Sequence, residues 1–298
     1  MRDGLIKVAA GTPGIRVADC AHNAREIIAL MEQAAAEGVK VLALPELCLT
    51  GYTCADLFLQ PTLLQGAEEG LAAILEATQD LDLVAAIGLP VRNNFDCKLY
   101  NCAVVIQNGE ILGLVPKTYL PNYGEFYEQR WFTSGAGTDH LVTLCGQQVS
   151  LSDRLVFASS NPGLPELVIG VEICEDLWAP LPPSVALARG GATVMLNLSA
   201  SNELAGKADY RRNLVAGQSA RLVCGYVYAD AGEGESTTDL VFAGHNMVAE
   251  NGAILAQRRF ATGLTVSEID VKRLAFERQR MNTFRPDRGI KLATYASR

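Results

Sequence analysis

Histidine is scarce: the 298 residues contain three, His22, His140 and His245. A cysteine hydrolase of the Cys-His type needs an imidazole beside its thiol. None of the three has an evident tie to a cysteine, because His22 falls in a helical stretch, His140 opens a short strand and His245 sits near a hairpin. None of the eight cysteines pairs as C-x-x-C, and Cys48/Cys54 and Cys97/Cys102 have the wrong spacing for zinc, so no metal site is expected. In a reducing compartment most of these thiols are expected to be free and buried. No run reaches the roughly 18 apolar residues that span a bilayer, and the N-terminus "MRDGLIKVAAGTPGIRV" lacks a secretory apolar core. A cytoplasmic protein without a membrane partner is expected. Basic clusters are also missing and the formal net charge is -8, which disfavours nucleic acid as a partner and suits a small polar or zwitterionic substrate.

The chain is 49% hydrophobic and 19% charged, enough to bury a large core. Strand-like and helix-like segments alternate. "LIKVAAG" (5–11) reads as a strand, 18–38 as an amphipathic helix stopped by Gly38, 39–49 as a buried strand, 63–79 as a helix and 83–91 as a third strand. Asn108-Gly109 and Asn251-Gly252, each between apolar runs, predict two type I′ hairpins. Between them, 167–174, 193–200 and 225–232 read as strands, and 182–189 and 208–223 as helices. The pattern predicts an α/β protein with mixed sheets. No Pro/Gly/Ser linker divides it, so one domain is expected over 1–275, followed by a basic, weakly structured tail over 276–298.

Three predicted strands end in reactive groups: "VLALPEL" in Glu46, "GLVPK" in Lys117 and "VIGVEIC" in Cys174. If those strands lie side by side, the three side chains converge at one rim. A thiol nucleophile needs a proton acceptor, and a desolvated carboxylate such as Glu46 can serve. The oxyanion of a tetrahedral intermediate needs donors, for which Lys117 and the N–H of Glu175 are candidates.

The blocks "LALPELCLTGY" (42–52), "PKTYLPNYGEFYEQRWFTSG" (116–135) and "VIGVEICEDLW" (168–178) are similar to the three catalytic blocks of the nitrilase, or carbon-nitrogen hydrolase, superfamily. The resemblance implies a nitrilase-like four-layer α-β-β-α sandwich with two mixed sheets, a tendency to form homo-oligomers, and a Glu46, Lys117, Cys174 triad. It also implies a second glutamate, Glu128, with Glu125 as competitor.

Within that superfamily, "NLSASNELAGKADYRR" (197–212) and "YVYADAGEGESTTDLVFAGHNMV" (226–248) resemble the glutamine-hydrolysing domains of glutamine-dependent NAD+ synthetases, and the likeness runs from about residue 5 to 270. The block "GEGESTTDLVF" (232–242) is a Gly-rich turn but no dinucleotide fingerprint, since residue 237 is Thr. The resemblance implies release of ammonia from L-glutamine through a γ-glutamyl thioester. It implies a pocket in which Glu175 meets the substrate ammonium, and Tyr52, Tyr123, Ser201 and Lys207 serve the rest. Position 207 could equally be arginine, which binds carboxylate differently. No cofactor is expected for this reaction; ATP and Mg2+ belong to a synthetase domain, whose S-G-G-x-D-S loop is absent from these 298 residues and which would be the ammonia acceptor. Two other readings are a nitrilase-type amidase or carbamoyl hydrolase on another small amide, and a non-catalytic or partner-gated regulatory module.

Overall fold

The computed structural model describes residues 4–296. Two sheets lie face to face. The first runs, in spatial order, β14 (Gly263–Asp270), β1 (Leu5–Thr12), β2 (Val41–Ala43), β3 (Val84–Arg92), β4 (Leu99–Gln107), β5 (Glu110–Pro116), β7 (Gln147–Ser152) and β6 (Asp139–Leu144). The second runs β13 (Ala253–Arg258), β12 (Asn246–Glu250), β11 (Gly225–Asp230), β10 (Val194–Ser199), β9 (Val168–Ile173), β8 (Leu155–Ser159) and β15 (Lys291–Tyr295). Each mixes directions: β1, β2 and β3 are parallel, as are β9, β10 and β11, while the hairpin partners are antiparallel.

Alternation of side chains assigns the layers. In the first sheet Ile6, Val8, Ala10, Val41, Ala43, Val84 and Ala86 join Ile169, Val171, Leu196, Leu198 and Val227 of the second in one buried cluster. Their neighbours Ala9, Leu42, Ala85 and Ile87 point the other way, onto Ala24, Ile27 and Met31 of α1 (Cys20–Ala36) and Leu71 and Ile74 of α2 (Pro61–Ala77). On the far side Met195, Tyr226 and Met247 pack on α4 (Ser184–Arg189) and α5 (Lys207–Leu222). The order is therefore helices, sheet, sheet, helices, the nitrilase-like sandwich. A single helical turn, α3 (Glu175–Trp178), follows β9, and α6 (Val271–Gln279) follows β14.

Local chemistry sets the boundaries. Asp19 caps α1 by accepting from the His22 N–H at 3.0 Å, and Pro61 opens α2 where no intrahelical donor is needed. Both hairpin turns carry positive φ at their two central residues, 52° and 75° at Asn108-Gly109 and 45° and 91° at Asn251-Gly252, as type I′ requires. No helix among the described residues is long and apolar enough to cross a membrane.

Two expectations need correction. The strand expected over 39–49 stops at Ala43, because Pro45 has no N–H to donate and Leu47 turns to φ 52°. The tail expected from residue 276 is partly regular: α6 continues to Gln279, and β15 pairs in parallel with β8, covering what would be a bare sheet edge. The boundary placed after residue 275 thus falls inside a helix.

At Gly88 in β3 an added β-carbon would collide with the backbone of Pro45, Glu46 and Leu47. The turn carrying Glu46 lies directly on this glycine. Gly88→Ala is expected to cost about 1–3 kcal/mol or more, as overpacking against unyielding backbone does; urea unfolding of the two proteins measures it.

Candidate active site

Glu46 leaves the first sheet where β2 ends and crosses to the second. Its N–H donates to the Ser199 carbonyl at 3.3 Å, and its Oε2 accepts from the Ala200 N–H at 3.0 Å, both at the end of β10. Its Oε1 accepts from Asn101 Nδ2 and from Lys117 Nζ, each at 2.6 Å. Lys117 follows β5, and its N–H and carbonyl are fixed by Asn101 O and Gly135 N, each at 2.8 Å. The Lys117 ammonium also donates to Glu128 Oε1 at 2.7 Å, and that oxygen accepts the Tyr52 hydroxyl at 2.8 Å. Glu46, Lys117 and Glu128 are all at most 1% exposed.

Burial works against the Lys117 ammonium, but Glu128 and Glu46 beside it outweigh the loss of water and hold its pKa well above the ordinary value. Burial pushes the Glu128 carboxyl up to about 7, with Lys117 restraining the rise and Glu46 adding to it. Glu128 Oε2 is buried and has no hydrogen-bond partner.

Cys174 comes from the facing sheet. The three strands do not all lie side by side: β2 and β5 belong to one sheet and β9 to the other. The three side chains meet between sheets because the Glu46 turn bridges the gap. Cys174 stands at φ 45° and ψ -99°, a conformation that costs a side chain roughly 1–3 kcal/mol and that persists only when its surroundings enforce it. Its N–H donates to Leu198 O at 3.0 Å and its carbonyl accepts from Leu177 N at 3.1 Å. Two residues on, the buried Asp176 accepts from Ile173 N at 2.9 Å, Tyr119 N at 2.8 Å and Thr118 N at 3.1 Å. Asp176 thus ties the residues after Lys117 to the turn bearing Cys174. Burial, then the charge of Glu46, pushes the Cys174 thiol well above its ordinary pKa, with Lys117 opposing. The surroundings therefore favour the protonated thiol over the thiolate. Glu175 opens α3, so its N–H is a first-turn donor that no intrahelical carbonyl can reach.

Around the mouth, Tyr123 donates to Glu175 Oε1 at 2.7 Å, and both line a cleft of about 610 Å³ with Tyr119 and Trp178. Lys207 Nζ lies 5.1 Å from the Trp178 ring centroid and 5.7 Å from that of Phe126, and donates to Asn202 Oδ1. Tyr52 borders a second cavity of about 170 Å³ with Phe126, Trp131 and Leu240, but its hydroxyl is committed to Glu128. Ser201 is 2% exposed and its hydroxyl accepts from the buried Arg211, at 3.2 and 3.1 Å. Of the expected pocket residues, Tyr52 and Ser201 thus have their hydroxyls engaged inside the protein, Tyr123 and Glu175 line the larger cleft, and Lys207 lies beside Trp178 at its edge. Glu128 lies against Lys117; Glu125 instead accepts from Asn202.

Several contributors were not singled out in the sequence: Asn101, Asp176, Asn202, Arg211 and Glu235. Glu235, in the Gly-rich block, accepts from Tyr52 N at 2.7 Å, Thr53 N at 3.0 Å and Thr53 Oγ1 at 2.6 Å, so it fixes the loop that carries Tyr52. A β-carbon at Gly234 would strike the Ile15 carbonyl, which explains that glycine. Among the described residues no group of three or more His, Cys, Asp or Glu side chains is arranged to hold a metal ion.

The sequence matches the carbon-nitrogen hydrolase family over residues 7–279. It is 43% identical over 288 residues to a glutamine-dependent NAD(+) synthetase of Mycobacterium tuberculosis, which covers 96% of this chain and 42% of that protein. The chain thus spans well under half of that relative's length. A crystal structure of a glutamine-dependent NAD(+) synthetase from Cytophaga hutchinsonii superposes with a TM-score of 0.74 at 29% identity, covering 89% of this chain and 43% of that one. An amidase from Nesterenkonia sp. has the same fold, with a TM-score of 0.69 at 20% identity over 94% of this chain and 98% of that one.

The buried charges predict a pH-dependent instability. Glu128 has a folded pKa of about 7 against an ordinary 4.5, so the stability it contributes is full below 4.5 and is lost as pH rises through about 7. Without the Lys117 ammonium, which restrains the rise, the Glu128 carboxyl binds its proton more tightly in the folded state, and that window widens upward. Lys117→Ala is expected to cost about 3–5 kcal/mol at pH 8, the range for orphaning a buried ion-pair partner, and distinctly less at pH 5. Urea unfolding at the two pH values measures the difference.

Proposed function

The chain belongs to the carbon-nitrogen hydrolase family, and from that membership we propose that it hydrolyses L-glutamine to L-glutamate and ammonia, as the glutaminase module of a glutamine-dependent NAD+ synthetase. One observation carries the choice of substrate: beyond the buried Glu46, Lys117 and Cys174, a carboxylate, Glu175, lines the cleft beside Trp178, and an ammonium, Lys207, lies 5.1 Å from the ring of that tryptophan. An α-amino acid needs one of each, an acceptor for its ammonium and a donor for its carboxylate. The mycobacterial relative's name agrees with glutamine.

In the proposed reaction the Cys174 sulfur attacks the carboxamide carbon while Glu46 takes the thiol proton. The carbonyl oxygen becomes an oxyanion, stabilised by Lys117 and the Glu175 N–H. The intermediate collapses to a γ-glutamyl thioester, and Glu46 returns its proton to the leaving ammonia. Water, deprotonated by Glu46 or Glu128, then attacks the thioester; glutamate leaves and the thiol is restored. This sequence of steps consumes no cofactor. The ammonia acceptor would be an ATP-dependent synthetase domain or chain.

Cys174→Ala is expected to abolish ammonia release from glutamine with unchanged unfolding behaviour; turnover above background would remove Cys174 as nucleophile. Lys207→Ala is expected to raise KM for glutamine roughly tenfold or more with a smaller change in kcat, as loss of a charged contact common to ground and transition states does. Steady-state assays against glutamine, asparagine, acetamide and an N-carbamoyl amino acid check the assignment. Preference for acetamide or the carbamoyl compound would favour a different member of the family.

A further inference from the structure

Behind the nucleophile, on the face of the second sheet turned toward α4 and α5, runs a line of buried polar groups that the proposed reaction does not use. Glu172 in β9 is 1% exposed, and Tyr226 in β11 and Asn197 in β10 are fully buried. The Tyr226 hydroxyl donates to Glu172 Oε1. Its oxygen accepts from Asn197 Nδ2 at 3.1 Å. Asn197 Oδ1 in turn accepts from the Cys174 N–H at 3.2 Å, which it shares with the Leu198 carbonyl at 3.0 Å, and from Ser199 Oγ at 2.7 Å. The far end is anchored: Glu172 Oε2 accepts from the Ser184 N–H at 2.9 Å at the start of α4, and Ser184 Oγ accepts from Gln218 of α5 at 3.0 Å.

The line has a direction, and Glu172 sets it. A carboxylate only accepts, so the Tyr226 hydroxyl must donate to it. The Tyr226 oxygen is then left to accept, which turns the Asn197 amide so that its NH2 faces Tyr226 and its oxygen faces the Cys174 N–H. Reversal would aim an NH2 at the Cys174 N–H and leave two buried donors facing each other, a cost of order 1–3 kcal/mol. Cys174 needs such enforcement, because its positive φ is not one a side chain adopts unaided.

We propose that Glu172, acting through Tyr226 and Asn197, is a positioning residue that holds the Cys174 turn in its attacking conformation and links it to α4 and α5. The role rests on the reading of Cys174 as nucleophile but not on glutamine as substrate.

The test follows the thiol itself. Iodoacetamide alkylation of Cys174 is timed by mass spectrometry in the wild type, Glu172→Gln, Tyr226→Phe and Gln218→Ala, with the exposed Cys97 as internal reference. Glu172→Gln and Tyr226→Phe are expected to slow labelling of Cys174, but not of Cys97, roughly tenfold to a hundredfold, the scale of misplacing a reacting atom by about 1 Å. They are also expected to lower kcat for glutamine with KM within about twofold, since the substrate contacts at the mouth are untouched. Gln218→Ala lies beyond Glu172 and is expected to change stability alone. Wild-type labelling rates in a folded Tyr226→Phe, which removes one oxygen only, would overturn the proposal. If the wild type shows no glutamine turnover, the substrate reading fails while the comparison of labelling rates still decides this one.

Discussion

Everything at the site depends on one ammonium taken out of water. Lys117 Nζ lies 2.6 Å from Glu46 and 2.7 Å from Glu128, with all three side chains sealed from solvent. An isolated ammonium or carboxylate in such a place costs several kcal/mol, and one cation between two carboxylates leaves an excess of negative charge. Burial raises the Glu128 pKa to about 7 and raises the thiol pKa as well, and the negative charge of Glu46 adds to both. The surrounding donors, Asn101 and Ala200 N on Glu46 and Tyr52 on Glu128, limit the excess without neutralising it.

The sandwich makes this arrangement possible by closing two sheets on one another. Glu46 and Lys117 leave the first sheet at strands that are not neighbours, and Cys174 leaves the second. Neither sheet alone holds the constellation. Two contacts lock the sheets at this point, Glu46 bonded to Ser199 and Ala200 and Asp176 bonded to Thr118 and Tyr119, while the close passage over Gly88 seats the Glu46 turn on its own sheet. A site built at the seam between layers is as rigid as the packing that joins them.

The sequence made the strand ends legible because each broke an apolar run with a charged or thiol side chain, and the hairpins were legible because Asn-Gly has few other uses between strands. Element order and the strongly amphipathic helices followed from periodicity. Three things could not be read. Which sheet each strand joins is a tertiary fact, since β2, β5 and β9 look alike as short apolar runs. β15 is a polar edge strand, "KLATY", whose pairing with β8 has no local signature. The groups that brace the site, Asn101, Asp176 and Glu235, act through hydrogen bonds to residues far away in sequence, which form only on folding. Tyr52 and Ser201 were found as residues but not in their tasks, because the Glu128 and Arg211 they serve lie 76 and 10 residues away.

The lack of a histidine base follows from the same charge balance. A thiolate at Cys174 would be a buried, third negative group beside Glu46 and Glu128 with one ammonium to share, and burial first, then the charge of Glu46, raises its pKa. In the proposed reaction the thiol therefore ionises only as sulfur bonds to carbon, so that the negative charge passes at once to the carbonyl oxygen near Lys117. The proton moves to Glu46, whose carboxylate lies against the same ammonium. Total charge in the cavity stays constant through attack, collapse and water entry, and only its location changes. An imidazolium formed beside Lys117 would instead place two cations together in a site closed to water. A carboxylate base is the choice consistent with a buried lysine, and the scarcity of histidine in the chain is consistent with it.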